Sequence, residues 1–125
     1  MEKNESDVAP AVLIVDDEQR VREVLSEYLK KAGYFVLEAR DVREAVQVVE
    51  EHLDLKLIIT DIHMPGESGL VLVERARLNR PDLRFIVMSA ALPGDEPALR
   101  CLKKPFRLAD LRAAVREELA APGGP

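Results

Sequence analysis

Asp16, Asp17, Asp61, Ser89 and Lys104 each stand at or just past the end of a short apolar run, and together they are a set that could do chemistry. The runs cover residues 11–15, 57–60, 85–88 and 98–102. Carboxylates from two separate places suit a hard divalent cation, Mg2+ or Mn2+, which takes oxygen ligands from one or two carboxylates, water and phosphate. A carboxylate beside such a cation can attack a phosphoryl group and form an aspartyl phosphate. Asp61 is the better nucleophile, because it is a single carboxylate leading into the loop His63-Met64-Pro65-Gly66. The Ser89 hydroxyl and the Lys104 ammonium can then donate to phosphoryl oxygens. Taken singly, each residue has an ordinary explanation. An Asp pair starts many helices, an Asp sits in many turns, and loop serines and Lys-Pro pairs are common. The order of all the pieces, each at a run's end, is what points to phosphoryl chemistry.

The elements that must position these residues follow from spacing. Residues 12–15 form an unbroken apolar run, as a strand buried on both faces requires. Val21, Val24, Leu25, Tyr28, Leu29 and Ala32 recur at helical spacing after the acidic stretch 16–18, and Gly33 ends that helix. A strand over 34–37 follows. Asp41 caps a helix running to about Glu51. Residues 55–60 form a third strand, and Met64-Pro65-Gly66 is a turn. Ser68 or Gly69 opens a helix to about Asn79, beyond which Pro81 blocks continuation. Strands over 85–88 and 99–102 come next, and Leu108, Leu111, Val115 and Leu119 lie along a last amphipathic helix. Alternating strands and helices predict βαβ units with right-handed crossovers in an α/β fold. Five strands are too few for a closed βα barrel, which leaves an open doubly wound parallel sheet. In such a sheet the strand C-termini share one edge, where ligands bind.

Bulk properties narrow the classes. The 125 residues suffice for one domain: a segment over 1–10, a folded unit over 11–119 and a Pro/Gly-rich tail or linker over 120–125. With 18 basic against 23 acidic residues the net charge is −5, which argues against gripping a nucleic-acid backbone. Arg20, Arg22, Lys30 and Lys31 read as solvated helix surface. Tyr28, Tyr34, Phe35, Phe85 and Phe106 are too few and scattered to stack on bases. The single Cys101 cannot form an internal disulfide, which fits a reducing compartment, and as a strand thiol it reads as buried. No apolar run is long enough to span a membrane, and residues 1–10 do not read as a signal peptide, so a cytoplasmic protein is expected.

The motifs LIVDDE at 13–18, TDIHMPGESGL at 60–70, MSA at 88–90 and KPF at 104–106 make the chain resemble the receiver domain of two-component response regulators. The likeness runs from Val12 to about Leu119, and the interval of 44 residues from Asp17 to Asp61 is the usual one. The resemblance implies a flavodoxin-like sheet of order 2-1-3-4-5. It implies that Asp61 is the phosphoacceptor, that Asp17 binds Mg2+ directly, that Asp16 helps through water, and that the backbone carbonyl of His63 completes the ligands. The His63 side chain falls where receivers vary. Ser89 takes the switch-hydroxyl position, Lys104 the phosphate-binding position, and the bond to Pro105 is commonly cis in the family.

The chain departs from that pattern in two places. Ser89 and Lys104 are 15 residues apart, shorter than receivers usually have by about two helical turns. Residues 91–97, with two prolines and a glycine, cannot hold a normal helix, so the family's fourth helix is expected to be missing or reduced to a loop or single turn. Cys101 also replaces the aromatic residue that receivers place three residues before the lysine. Without the helix, side chains among Phe85, Ile86, Val87, Leu99 and Cys101 are expected to become exposed, giving a face near the fourth and fifth strands for a homodimer or another partner, or for a loop to fold over.

The expected function is a phosphorylation-dependent signalling switch rather than an enzyme acting on a metabolite. Its partner would be a sensor histidine kinase or phosphotransfer protein. The alternative is a receiver-fold binding module indifferent to phosphorylation, which the shortened segment motivates. An aspartyl-nucleophile phosphatase would carry a second Asp two residues past the first, where this chain has His63.

Overall fold

The computed structural model describes residues 11–91 and 99–120. Five strands form one parallel sheet: β1 (Ala11–Val15), β2 (Phe35–Ala39), β3 (Leu55–Asp61), β4 (Arg84–Ser89) and β5 (Arg100–Lys103). Their order is β2-β1-β3-β4-β5, every neighbouring pair parallel, as expected for the doubly wound α/β fold. The described helices are α1 (Gln19–Lys31), α2 (Val42–Glu51), α3 (Gly69–Asn79) and α4 (Leu108–Ala120). None of them is long and apolar enough to cross a membrane. The expectation for 1–10, all but Ala91 of the loop or single turn expected over 91–97, and all but Ala120 of the tail expected over 120–125 lie outside the described residues; Ala120 is the last residue of α4.

Strand alternation divides the core into two layers. Leu13, Val15, Ile58, Phe85 and Val87 face α2 and α3. Val12, Ile14, Leu57, Ile59, Ile86 and Met88 face α1 and α4. β1 is buried along its whole length, because β2 and β3 flank it and helices cover both faces. This is why its sequence is continuously apolar rather than alternating.

Local chemistry sets the ends of the helices. The positive φ of Gly33 (104°) lets α1 close with Gly33 N donating to Lys30 O and Tyr34 N to Leu29 O, a Schellman-type end. Asp41 caps α2 by accepting from Glu44 N at 2.9 Å. Ser68 caps α3 by accepting from Leu70 N at 3.1 Å. The Arg80 guanidinium reaches back from the end of α3 to the carbonyls of Val49, His52, Leu53 and Leu55, satisfying the chain where α2 ends and β3 begins.

Three sequence expectations are corrected. β2 runs to Ala39 rather than Leu37, because its partner β1 offers a backbone ladder from Ala11 to Val15 whatever the side chains are. β5 begins at Arg100 rather than Leu99 and includes Lys103, paired with Ser89. The third narrows the face expected near β4 and β5. Phe85, Ile86 and Val87 are buried, while Leu99 and Cys101 are partly exposed, so the Cys101 thiol is not fully enclosed as its place on a strand suggests. Ile86 points to the α1 and α4 side, and the Arg77 guanidinium lies 5.4 Å from the Phe85 ring centroid.

Candidate functional site

Asp16 follows the last residue of β1, Asp61 ends β3, Ser89 ends β4 and Lys104 follows β5. The parallel order brings all four strand ends to one edge, at the reversal between β1 and β3 where open α/β sheets bind ligands. Carboxylate oxygens of Asp16, Asp17 and Asp61 lie within 4.8 Å of one another. Asp16 and Asp61 are buried, and Asp17 is exposed at the mouth.

Each buried carboxylate is held by one oxygen and presented by the other. Asp16 Oδ1 accepts from Glu18 N at 2.9 Å, and Oδ2 faces Lys104 Nζ at 3.5 Å. Asp61 Oδ1 accepts from His63 N at 3.1 Å, and Oδ2 accepts from Lys104 Nζ at 3.1 Å. Lys104 is placed by its own backbone: its N–H donates to Ser89 O at 2.8 Å, and the Lys104–Pro105 bond is cis.

The electrostatics follow from burial and crowding. Burial holds the Asp16 carboxyl above the usual range, and the charges of Asp61 and Asp17 add to the rise. The Glu18 N–H and Lys104 oppose it. Burial alone would pull Lys104 down, but its hydrogen bond to Asp61 and the charges of Asp16 and Asp61 outweigh that and raise it. Three carboxylates face one ammonium, an excess of negative charge that a divalent cation suits. The donor set is all oxygen, the set magnesium prefers.

Ser89 is buried at the neighbouring strand end. Its hydroxyl accepts from Ala91 N at 3.1 Å, so it is engaged with its own loop rather than with the carboxylates. His63 is exposed, and its backbone N–H is what touches Asp61. Cys101 lies on β5 opposite Val87, at the rim of the α2–α3 layer.

Two residues gain importance that their sequence positions do not announce. Gly69 opens α3 directly against the phosphoacceptor candidate's backbone. A Cβ there would collide with the Asp61 carbonyl and come within 2.9 Å of Thr60 Oγ1. Its N–H donates to Ile62 O at 3.0 Å, tying the helix start to the loop after Asp61. Arg22, read from the sequence as solvated surface, has a side chain only 16% exposed and bonds to the Asp16 backbone. The signal for Gly69 is its place at the first turn of a helix whose cap is Ser68. Nothing in the sequence alone marks Arg22.

The family model of the response regulator receiver domain matches residues 12–116. The chain is similar to the DNA-binding transcriptional regulator NtrC of Azospirillum brasilense, 36% identical over 118 residues, covering 89% of this chain and 24% of that protein. It spans about half or less of the length of the curated relatives it matches. Among solved structures, it is similar to the Vibrio cholerae chemotaxis protein CheY4, with a TM-score of 0.83 and 26% identity over 89% of this chain and 99% of that one. The response regulator protein TrrA of Thermotoga maritima, solved in complex with Mg2+ and BeF, gives a TM-score of 0.79 at 31% identity over 86% of this chain and 96% of that one.

Proposed function

The chain belongs to the response regulator receiver domain family, and from that membership we propose that it is a phosphorylation switch in which Asp61 accepts a phosphoryl group with Mg2+ bound beside it. The observation that carries the proposal is the convergence of Asp16, Asp17 and Asp61 within 4.8 Å, with Lys104 Nζ 3.1 Å from Asp61. Asp16, Asp17 and Asp61, with the His63 carbonyl, are the protein's share of the ligands, and Mn2+ fits the same oxygens. The bound cation neutralises charge on the transferring phosphoryl oxygens.

In the proposed transfer, Asp61 Oδ2 attacks phosphorus. A phosphorus–oxygen bond forms as the phosphorus–nitrogen bond of a phosphohistidine breaks, and the histidine leaves with the bond's electron pair. Asp61 Oδ1 stays anchored by the His63 N–H. Lys104 passes from the carboxylate to a phosphoryl oxygen, and the Ser89 hydroxyl leaves Ala91 N to donate to another. Water later breaks the phosphorus–oxygen bond, returning the carboxylate and inorganic phosphate. The domain thus catalyses only its own modification. The donor is a sensor histidine kinase or phosphotransfer protein.

Beryllofluoride tests this reading. Added with Mg2+, it is expected to shift backbone amide resonances around Asp61, Ser89 and Lys104. No shift in that region, or the same shift in the Asp61→Asn variant, contradicts the assignment.

A further inference from the structure

Arg22 sits in the first turn of α1, where a basic residue is ordinarily solvated. Here its side chain is 16% exposed and makes two directed bonds. Nη1 donates to the main-chain oxygen of Asp16 at 2.8 Å, and Nε donates to Glu38 Oε1 at 3.2 Å. Glu38 lies on the edge strand β2, paired with Ile14 of β1. A guanidinium is planar and its donors form a rigid fork, so two bonds fix its plane.

The carbonyl that Arg22 grips belongs to the peptide joining Asp16 to Asp17. On its other side the Asp16 N–H donates to Ala39 O at 3.2 Å, so the backbone of Asp16 is tied on both sides toward β2. If the 16–17 peptide turned, both carboxylates would swing with it. The Arg22 bond opposes that turn. Glu38 has a separate task. Its carboxylate pairs with the Arg22 Nε and so holds the guanidinium against the edge strand, in the plane that reaches the Asp16 carbonyl.

We infer that Arg22, anchored by Glu38, is a positioning residue for the cation site, pinning the peptide that presents Asp16 and Asp17 to a divalent metal. The inference rests on the reading of the acidic cluster as a Mg2+ site. Charge alone predicts the opposite sign for a substitution: removing a cation near the cluster should tighten Mg2+ binding.

Calorimetric titration with Mg2+ alone, without phosphodonor and below the unfolding transition, separates the two. Arg20, exposed on the same turn, supplies the charge control. Arg20→Gln is expected to bind Mg2+ as the unmodified chain does or slightly more tightly. Arg22→Gln is expected to bind roughly tenfold more weakly, in the range of lost outer-shell partners of metal ligands. Binding by Arg22→Gln as tight as by Arg20→Gln overturns the inference. Should Arg22→Gln fail to fold, Glu38→Ala decides: weakened binding supports the anchor, and unchanged binding overturns it. An unmodified chain that binds no Mg2+ overturns the site reading itself, and the inference with it.

Discussion

Lys104 Nζ donates to Asp61 Oδ2 across 3.1 Å, joining two residues 43 positions apart. The same ammonium lies 3.5 Å from Asp16 Oδ2, so one cation is shared between two buried carboxylates. Its position offsets crowded negative charge, and under the proposed switch the same ammonium would meet a phosphoryl oxygen on Asp61. Lys104→Ala is therefore expected to tighten Mg2+ binding several-fold, because a competing positive charge is gone, while slowing phosphoryl transfer to Asp61. Parallel Mg2+ titration and phosphodonor time courses check this. Weaker Mg2+ binding in Lys104→Ala contradicts it.

Mg2+ is expected to raise the stability of the folded chain by mass action. At about 100 times the dissociation constant the gain is about 2.7 kcal/mol. Thermal unfolding with and without Mg2+ measures it, and a chelator reverses it. Asp17→Asn should abolish the Mg2+-dependent shift while leaving the metal-free midpoint nearly unchanged, because Asp17 is exposed.

Gly69→Ala is expected to destabilise the fold by about 1–3 kcal/mol, the usual cost of overpacking a tight contact. The added carbon meets the Asp61 carbonyl and Thr60 Oγ1. Since that carbonyl belongs to the phosphoacceptor candidate, the variant should also phosphorylate more slowly at temperatures where it remains folded. Chemical unfolding and a phosphorylation time course on the same sample distinguish the two effects.

Burial pushes the Cys101 thiol above its ordinary value of 9.0. The folded chain therefore keeps this proton where the unfolded chain has lost it. Stability from this group is fully present below pH 9.0 and is lost as pH rises from there through the folded value. Alkylation at pH 8 should be slower in the folded than in the unfolded chain, and Cys101→Ser should flatten the loss of stability just above pH 9. Equal alkylation rates in the two states contradict this.

The architecture and the acidic cluster are legible in the sequence for one reason. In a parallel βα fold every strand C-terminus reaches the same edge, so the order of residues along the chain is enough to place Asp16, Asp17, Asp61, Ser89 and Lys104 together. Contacts between elements are not legible in that way. Arg22 reads as surface because periodicity describes one helix, while its partner Glu38 is on another element. Gly69 reads as a helix start, and its closeness to Asp61 appears only once α3 packs on β3. The burial of Phe85 and Val87 eluded a count of missing helix residues, because packing in the α2–α3 layer includes Arg77 above the Phe85 ring. The ends of β2 and β5 shifted because a backbone ladder continues through Glu38 and Lys103 regardless of polarity.

Intact mass after incubation with a small phosphodonor and Mg2+ goes straight to the question of whether Asp61 is a phosphoacceptor. A single phosphoryl adduct is expected, present only with the divalent cation, lost on standing as water hydrolyses it, and missing from Asp61→Asn. No adduct on the unmodified chain, or the same adduct on Asp61→Asn, would contradict the proposed switch.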